Sequence, residues 1–212
     1  MLFRSRRSPG FFFGYAPLTT AGASQSWDLE IQSIAMAQGN IFLVGMMGAG
    51  KTTLGRALAH RLQLEFVDTD RVLVERTGVP VATIFEFEGE EGFRRRECAV
   101  ISELAARDGL VVATGGGAVL SEDNRRVMRD HGTVVYLRAR LESLWQRTRR
   151  DSSRPLLATP DPRATLADLL DHRDPLYRDA AHIVVDTGAQ SAASVVGKVL
   201  AALRAGVGGD TA

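Results

Sequence analysis

Apolar positions along the chain follow two alternating patterns. Short runs rich in β-branched residues, at Ile41–Val44, Glu65–Val67, Leu110–Ala113, Thr133–Leu137 and Ile183–Val185, read as five strands. Helical spacing fills the stretches between them. Thr52–Leu62 sets Leu54, Ala57, Leu58 and Leu62 on one face, and Glu90–Arg107 does the same with Phe93, Glu97, Val100, Ile101 and Leu104. Glu122–Asp130 starts behind Ser121, a ready N-cap. Leu141–Arg149, Leu166–Tyr177 and Ala192–Arg204 complete the helices, with Pro175 expected to break the second of these three. No internal repeat is visible.

Strands alternating with helices imply right-handed crossovers and a parallel sheet covered on both faces, an α/β architecture. Ligands bind such sheets beyond the carboxyl ends of the strands. The chemistry is therefore expected just after Val44, Val67, Ala113, Leu137 and Val185. The periodic region, residues 40–204, reads as one domain, and the Gly-rich residues 205–212 as a flexible tail. Residues 1–39 hold no period. They carry Arg4, Arg6, Arg7 and the cluster Phe11–Phe13 among Ser, Thr, Gly and Ala, and read as an extension outside the folded domain, with Met36 an alternative start. Arginines without acid before Asp28 also fit an organellar transit peptide, whereas the Phe cluster is too short for the apolar core of ~7–15 residues in a secretory signal.

Composition narrows the class. Of 212 residues, 45% are hydrophobic and 24% charged, the balance of a globular domain with a sizeable core. A formal net charge of +1 makes no general electrostatic bid for nucleic acid or an anionic membrane. Cys98 is the sole cysteine, so an internal disulfide is excluded and a reducing compartment is expected. No apolar run reaches the ~18 residues of a spanning helix. The four histidines are scattered and read as surface or packing residues. Only Lys51 and Lys198 are lysines among many arginines, which makes the lysine at 51 conspicuous.

Lys51 belongs to Gly45-Met46-Met47-Gly48-Ala49-Gly50-Lys51-Thr52, a full P-loop pattern between an apolar strand and an amphipathic helix. Glycines let the backbone curl so that successive N–H groups point at phosphates, and the helix N-terminus adds positive charge. Gly48, Ala49, Gly50, Lys51, Thr52 and Thr53 are thus the nucleotide-binding candidates, with the Thr52 hydroxyl facing Mg²⁺. The loop establishes a nucleotide but not a reaction. No Asn-Lys-x-Asp guanine motif and no Leu-Ser-Gly-Gly-Gln transporter signature is present.

The other strand ends supply an acceptor side. Asp68 and Asp70, two residues apart, can divide labour between a metal held through water and an acceptor hydroxyl, or can simply form a turn that caps the next helix. Thr114 is followed by Gly115, Gly116 and Gly117, which leave bare backbone for a ligand or serve as a loose turn. Arg94 and Glu97 share a helix face at i, i+3, a guanidinium oriented by its own carboxylate and suited to gripping a substrate carboxylate, while Arg95 and Arg96 read as solvated surface. Arg147, Arg149, Arg150 and Arg154 ahead of Pro155-Leu156-Leu157 read as a lid over phosphates, spanning about residues 147–160, or as a basic surface loop. Arg173 is a second anion contact or a surface residue.

Together these stretches resemble shikimate kinase: Gly45–Thr53, Phe66–Asp70, Gly89–Glu97, Ala113–Gly117, and Arg154-Pro155-Leu156-Leu157 with Arg173-Asp174-Pro175-Leu176-Tyr177. The likeness runs from about Asn40 to Leu203. It implies a three-layer fold like that of nucleoside monophosphate kinases, with a five-stranded parallel sheet in the order 2-3-1-4-5 and a mobile lid. It implies transfer of the ATP γ-phosphoryl group to the 3-hydroxyl of shikimate, with Mg²⁺, by a cytoplasmic monomer. By the same resemblance Asp70 orients the acceptor hydroxyl, Arg94 and Arg173 grip the carboxylate, Gly116 offers its backbone N–H to the ring substituents with Gly115 and Gly117 beside it, and Phe85 and Phe93 wall the apolar side of the ring. Lys51 and Arg154 neutralise phosphate charge, Asp68 and Thr52 hold the metal, and Arg147 and Gln190 lie on the adenine side. Thr52 stands where Ser is commoner in the family, with the hydroxyl preserved. A gluconate or nucleotide kinase on the same scaffold, and a module that binds ATP without turnover, are the competing readings.

Overall fold

The computed structural model describes residues 39–151, 155–188 and 190–207. Five strands form one sheet: β1 (Asn40–Val44), β2 (Glu65–Asp68), β3 (Leu110–Ala113), β4 (Gly132–Arg138) and β5 (Ile183–Asp186). Their order is β2-β3-β1-β4-β5 and every pairing is parallel. The central strands β1 and β3 are buried at every residue, as continuous apolar runs in a parallel sheet should be.

Seven α-helices connect and cover the strands: α1 (Lys51–Leu62), α2 (Thr69–Thr77), α3 (Val81–Ala105), α4 (Glu122–Asp130), α5 (Leu141–Thr148), α6 (Pro162–Ala180) and α7 (Ala192–Val207). The step from β1 to β2 runs one way across the sheet and the later steps run back. Right-handed crossovers therefore put α1 on one face and α2 to α6 on the other. Packing agrees. The α1 helix lies on β2, β3 and α7, whereas α4 and α6 lie on β4 and α3 lies on α4.

One polar residue anchors the sheet from inside. Asn40, fully buried at the start of β1, donates from Nδ2 to the carbonyls of Leu104 (3.3 Å) and Arg107 (2.5 Å), and its Oδ1 accepts from the Leu110 N–H at 3.0 Å. The amide thus ties the end of α3 to the start of β3 with every bond satisfied.

Asp68 forms the capping turn read as one alternative: its Oδ1 accepts from the N–H groups of Asp70 (3.1 Å) and Arg71 (3.4 Å) and caps a helix, Thr69–Thr77, that the spacing did not show. Three expectations are corrected. Helix α3 starts at Val81, nine residues before Glu90, and is interrupted at Gly89 (φ 68°, ψ −177°). Helix α6 runs unbroken through Pro175 to Ala180. Pro175 and Asp171 are both exposed, so the carbonyl that loses its helical partner faces water. Helix α7 also continues to Val207, past the expected end at Arg204.

Candidate active site

The carboxyl edge of the sheet gathers the chemistry. After β1 the loop turns into α1 with Gly50 as a left-handed N-cap (φ 98°), a conformation suited to glycine. Lys51 Nζ donates to the carbonyls of Gly45 (2.7 Å) and Met46 (3.0 Å), so its charge is held over the loop floor. Thr52 Oγ1 donates to Asp68 Oδ2 at 2.8 Å. Two oxygen donors from different strand ends are thus already together, a set that fits a hard divalent cation. Gly48, Gly50, Lys51, Thr52, Thr53, Asp68, Asp70, Gly116 and Arg147 border one open cavity of about 290 Å³.

A second hollow adjoins it. Ala49, Gly50, Thr53, Arg147 and Gln190 share this hollow with Thr187 and Val195. Arg147 donates to the carbonyls of Gly48, Thr187 and Gly188, each at 3.0 Å, and thereby ties the phosphate loop to the segment after β5. Arg154 and the tip of the expected lid lie outside the described residues. Of that segment, Pro155–Leu157 forms a short 3₁₀ turn and α6 begins at Pro162 behind the capping Asp161.

A third pocket opens on the other side of the glycine triplet. Met47, Asp70, Val81, Phe85, Phe93, Arg94, Glu97, Gly115, Gly116, Gly117, Leu156 and Arg173 line it. Phe85 and Phe93 sit with ring centroids 4.6 Å apart and form its apolar wall. Arg173 is buried and donates to the Gly116 carbonyl at 3.2 Å. Arg94 is held between Glu97 (2.7 Å) and Glu90 (3.0 Å). By contrast Arg95 and Arg96 are exposed and pair with Glu91 and Glu88 on the surface.

Charge in this pocket is costly and matched. Glu97 is fully buried. Burial raises its carboxyl above the usual range, Arg94 pulls it back, and the nearby Asp70 raises it further. Burial works against the Arg94 cation, and Glu97 and Glu90 more than offset that, so its value is raised. Glu97 Oε1 and the Nε atoms of Arg94 and Arg173 are buried without a hydrogen-bond partner among the described residues. Buried polar atoms left open beside a pocket are what a polar ligand would complete.

Sterics explain the outer two glycines of the triplet. A Cβ on Gly115 would collide with Glu97 Oε1, and one on Gly117 with the Arg94 guanidinium. A Cβ on Gly116 would come within 3.4 Å of the Met47 nitrogen in the phosphate loop. The triplet runs along the arginine-lined pocket, and Gly116 borders the phosphate-loop cavity as well.

Sequence reasoning left Met47, Val81 and Leu156 out of this lining. Val81, Ile84 and Phe85 do share a helical face, and that i, i+3, i+4 spacing ahead of Gly89 was the available signal.

Known proteins place the chain in a family. The shikimate kinase family profile matches residues 47–204. A shikimate kinase of Nitrosospira multiformis is 61% identical over 155 residues, covering 73% of this chain and 80% of that protein. The structure of Acinetobacter baumannii shikimate kinase in complex with shikimate superposes with a TM-score of 0.80 at 46% identity, covering 82% of this chain and 98% of that one. A gluconokinase from Sinorhizobium meliloti, at 21% identity and a TM-score of 0.50, covers 78% of this chain and 91% of its own and shares the fold alone. With its sheet order, its phosphate loop and its arginine-lined pocket all in place, the chain belongs to the shikimate kinase family.

Proposed function

We propose that the chain phosphorylates the 3-hydroxyl of shikimate with ATP, on the route to chorismate and aromatic amino acids, with the phosphate cavity and the arginine-lined pocket as the two halves of one site. One observation carries the reading: Asp70 and Gly116, with Met47, border both cavities. A carboxylate at that junction can meet an acceptor hydroxyl on one side and a terminal phosphoryl group on the other.

In this reading Arg94 and Arg173 bind the acceptor carboxylate, and Phe85 and Phe93 cover the apolar face of its ring. Asp70 accepts a hydrogen bond from the hydroxyl and takes its proton as that oxygen bonds to the γ-phosphorus and the bond to the leaving ADP oxygen breaks. Lys51, with Arg154 from the lid, neutralises phosphate charge. Thr52 and Asp68 would hold Mg²⁺, which supplies charge neutralisation on the phosphates when bound. Arg147 and Gln190 border the nucleoside. A monomer of the cytoplasm, with residues 1–39 outside the catalytic domain and neither nucleic acid nor membrane as partner, completes the proposal. Among the described residues no helix is long and apolar enough to cross a membrane.

Asp70→Asn tests the assignment. Turnover should fall by roughly 10²–10⁴-fold while the ATP KM stays within twofold. Unchanged turnover would remove Asp70 from the chemistry. A coupled ADP-release assay over a panel of hydroxy acids checks the acceptor, and equal turnover with gluconate would refute shikimate.

A further inference from the structure

Tyr177 lies one turn beyond Arg173 on α6 and is fully buried. Its hydroxyl donates to the Gly116 carbonyl at 2.5 Å, the same oxygen that receives Arg173 Nη1 at 3.2 Å, and lies 3.5 Å from Met46 Sδ in the phosphate loop. The ring stacks on Tyr136 of β4, with centroids 4.9 Å apart and planes at 24°. The Tyr136 hydroxyl in turn donates to Asp174 at 2.7 Å. A strand of the sheet therefore fixes the ring, and the ring delivers its hydroxyl to a set place. Burial keeps that phenol protonated, raising it well above its ordinary value.

A peptide unit is planar and trans, so its C=O and N–H point in opposite directions. The Gly116 carbonyl and the Gly117 N–H belong to one such unit. The preceding unit, with the Gly115 carbonyl and the Gly116 N–H, is held by the Ala118 N–H at 3.2 Å. Neither the Gly116 nor the Gly117 N–H has an acceptor among the described residues. Glycine permits wide swings in φ and ψ, so a unit between two glycines keeps one direction only if something grips it.

We infer that Tyr177 is a positioning residue for the acceptor: its hydroxyl grips the Gly116 carbonyl, which aims the Gly117 N–H as a fixed donor beside Arg94 and Arg173. The inference rests on the arginine-lined pocket being the acceptor site. Tyr177 touches no substrate itself and acts through the peptide unit.

Tyr177→Phe keeps the ring stack, and Arg173 still occupies the carbonyl, so no buried acceptor is orphaned. The shikimate KM should rise about fivefold to tenfold, the span of one lost neutral hydrogen bond, with the ATP KM within twofold. Tyr136→Phe, which keeps the stacked ring and removes only the bond to Asp174, should leave both KM values within twofold. An unchanged shikimate KM in Tyr177→Phe, an equal rise for both substrates, or an equal effect from Tyr136→Phe would overturn the role. If Tyr177→Phe does not fold, 3-fluorotyrosine at position 177 decides, because it keeps the volume and donates more strongly. A lower shikimate KM supports the role, and an unchanged or higher one refutes it. Arg94→Ala separates the two levels. If it leaves the shikimate KM unchanged, the acceptor assignment itself fails. If it raises that KM while Tyr177→Phe does not, only the positioning role fails.

Discussion

Gly117 shows what a single missing carbon does. Its absent Cβ leaves the space that the Arg94 guanidinium occupies, and that guanidinium is pinned by Glu97 and Glu90. Gly117→Ala should push Arg94 off its bonds and raise the shikimate KM by about tenfold or more, while ATP binding, on the far side of the triplet, stays within twofold. Steady-state kinetics with each substrate varied in turn reads the split. An equal loss for both substrates would mean that the triplet supports the loop rather than the arginine. At this scale the sequence was legible where chemistry and spacing coincide: Lys51, Asp70, Arg94 and Arg173 all border the site. The meaning of the glycines was not legible. For Gly115 and Gly117 the reason is a side chain on another element, Glu97 or Arg94, and no local pattern records that packing.

Elements were legible wherever burial is one-sided or complete. The strands lie within a residue or two of their expected bounds, and α4 matches Glu122–Asp130 behind its Ser121 cap, which accepts from Asn124 N–H at 3.3 Å. The two surprises lie beside the arginine-lined pocket. Helix α2 is short, with only Thr69 and Leu73 buried, so it has almost no apolar face to read. The first turns of α3 are cut off from the rest by Gly89, whose φ of 68° with ψ of −177° is a region open essentially to glycine alone. Any other residue there costs about 1–3 kcal/mol in strain. Glu88 and Arg96, joined at 2.7 and 2.8 Å, bridge that break. Pro175 misled in the opposite direction. Local rules end a helix there, but Arg173, Tyr177 and Ala180 are all buried on one face, and tertiary packing outweighs one lost hydrogen bond.

Across the whole molecule, stability should depend on acidity through the sheet. The His182 ring accepts the Val134 N–H through Nδ1 at 3.0 Å, just before β5 begins beside β4. Partial desolvation, helped by Arg129, holds the imidazole below its ordinary value. The folded state therefore binds fewer protons than the unfolded state between the lowered value and about 6.5, and stability falls as pH drops through that window. A protonated ring nitrogen cannot accept the Val134 N–H. Thermal melts should show the wild type losing its advantage over His182→Ala as pH goes from 7.5 toward 5. A gap that stays constant over that range would disprove the linkage.

Arg147 bears on fidelity. Its outer nitrogens are spent on the carbonyls of Gly48, Thr187 and Gly188, and the hollow beside it is lined by the apolar Ala49, Leu54, Ala192 and Val195 and by three uncharged polar side chains, Thr53, Thr187 and Gln190. Such a surface offers a base a flat cation and aliphatic contact, and few side-chain groups that could tell one ring edge from another. The two halves of the site should then differ in discernment: strict toward the acid that receives the phosphoryl group, lenient toward the nucleoside that delivers it. GTP should support turnover within about tenfold of ATP, since stacking discriminates by only about a kcal/mol. A preference for ATP of a thousandfold would show that the base is read by other means.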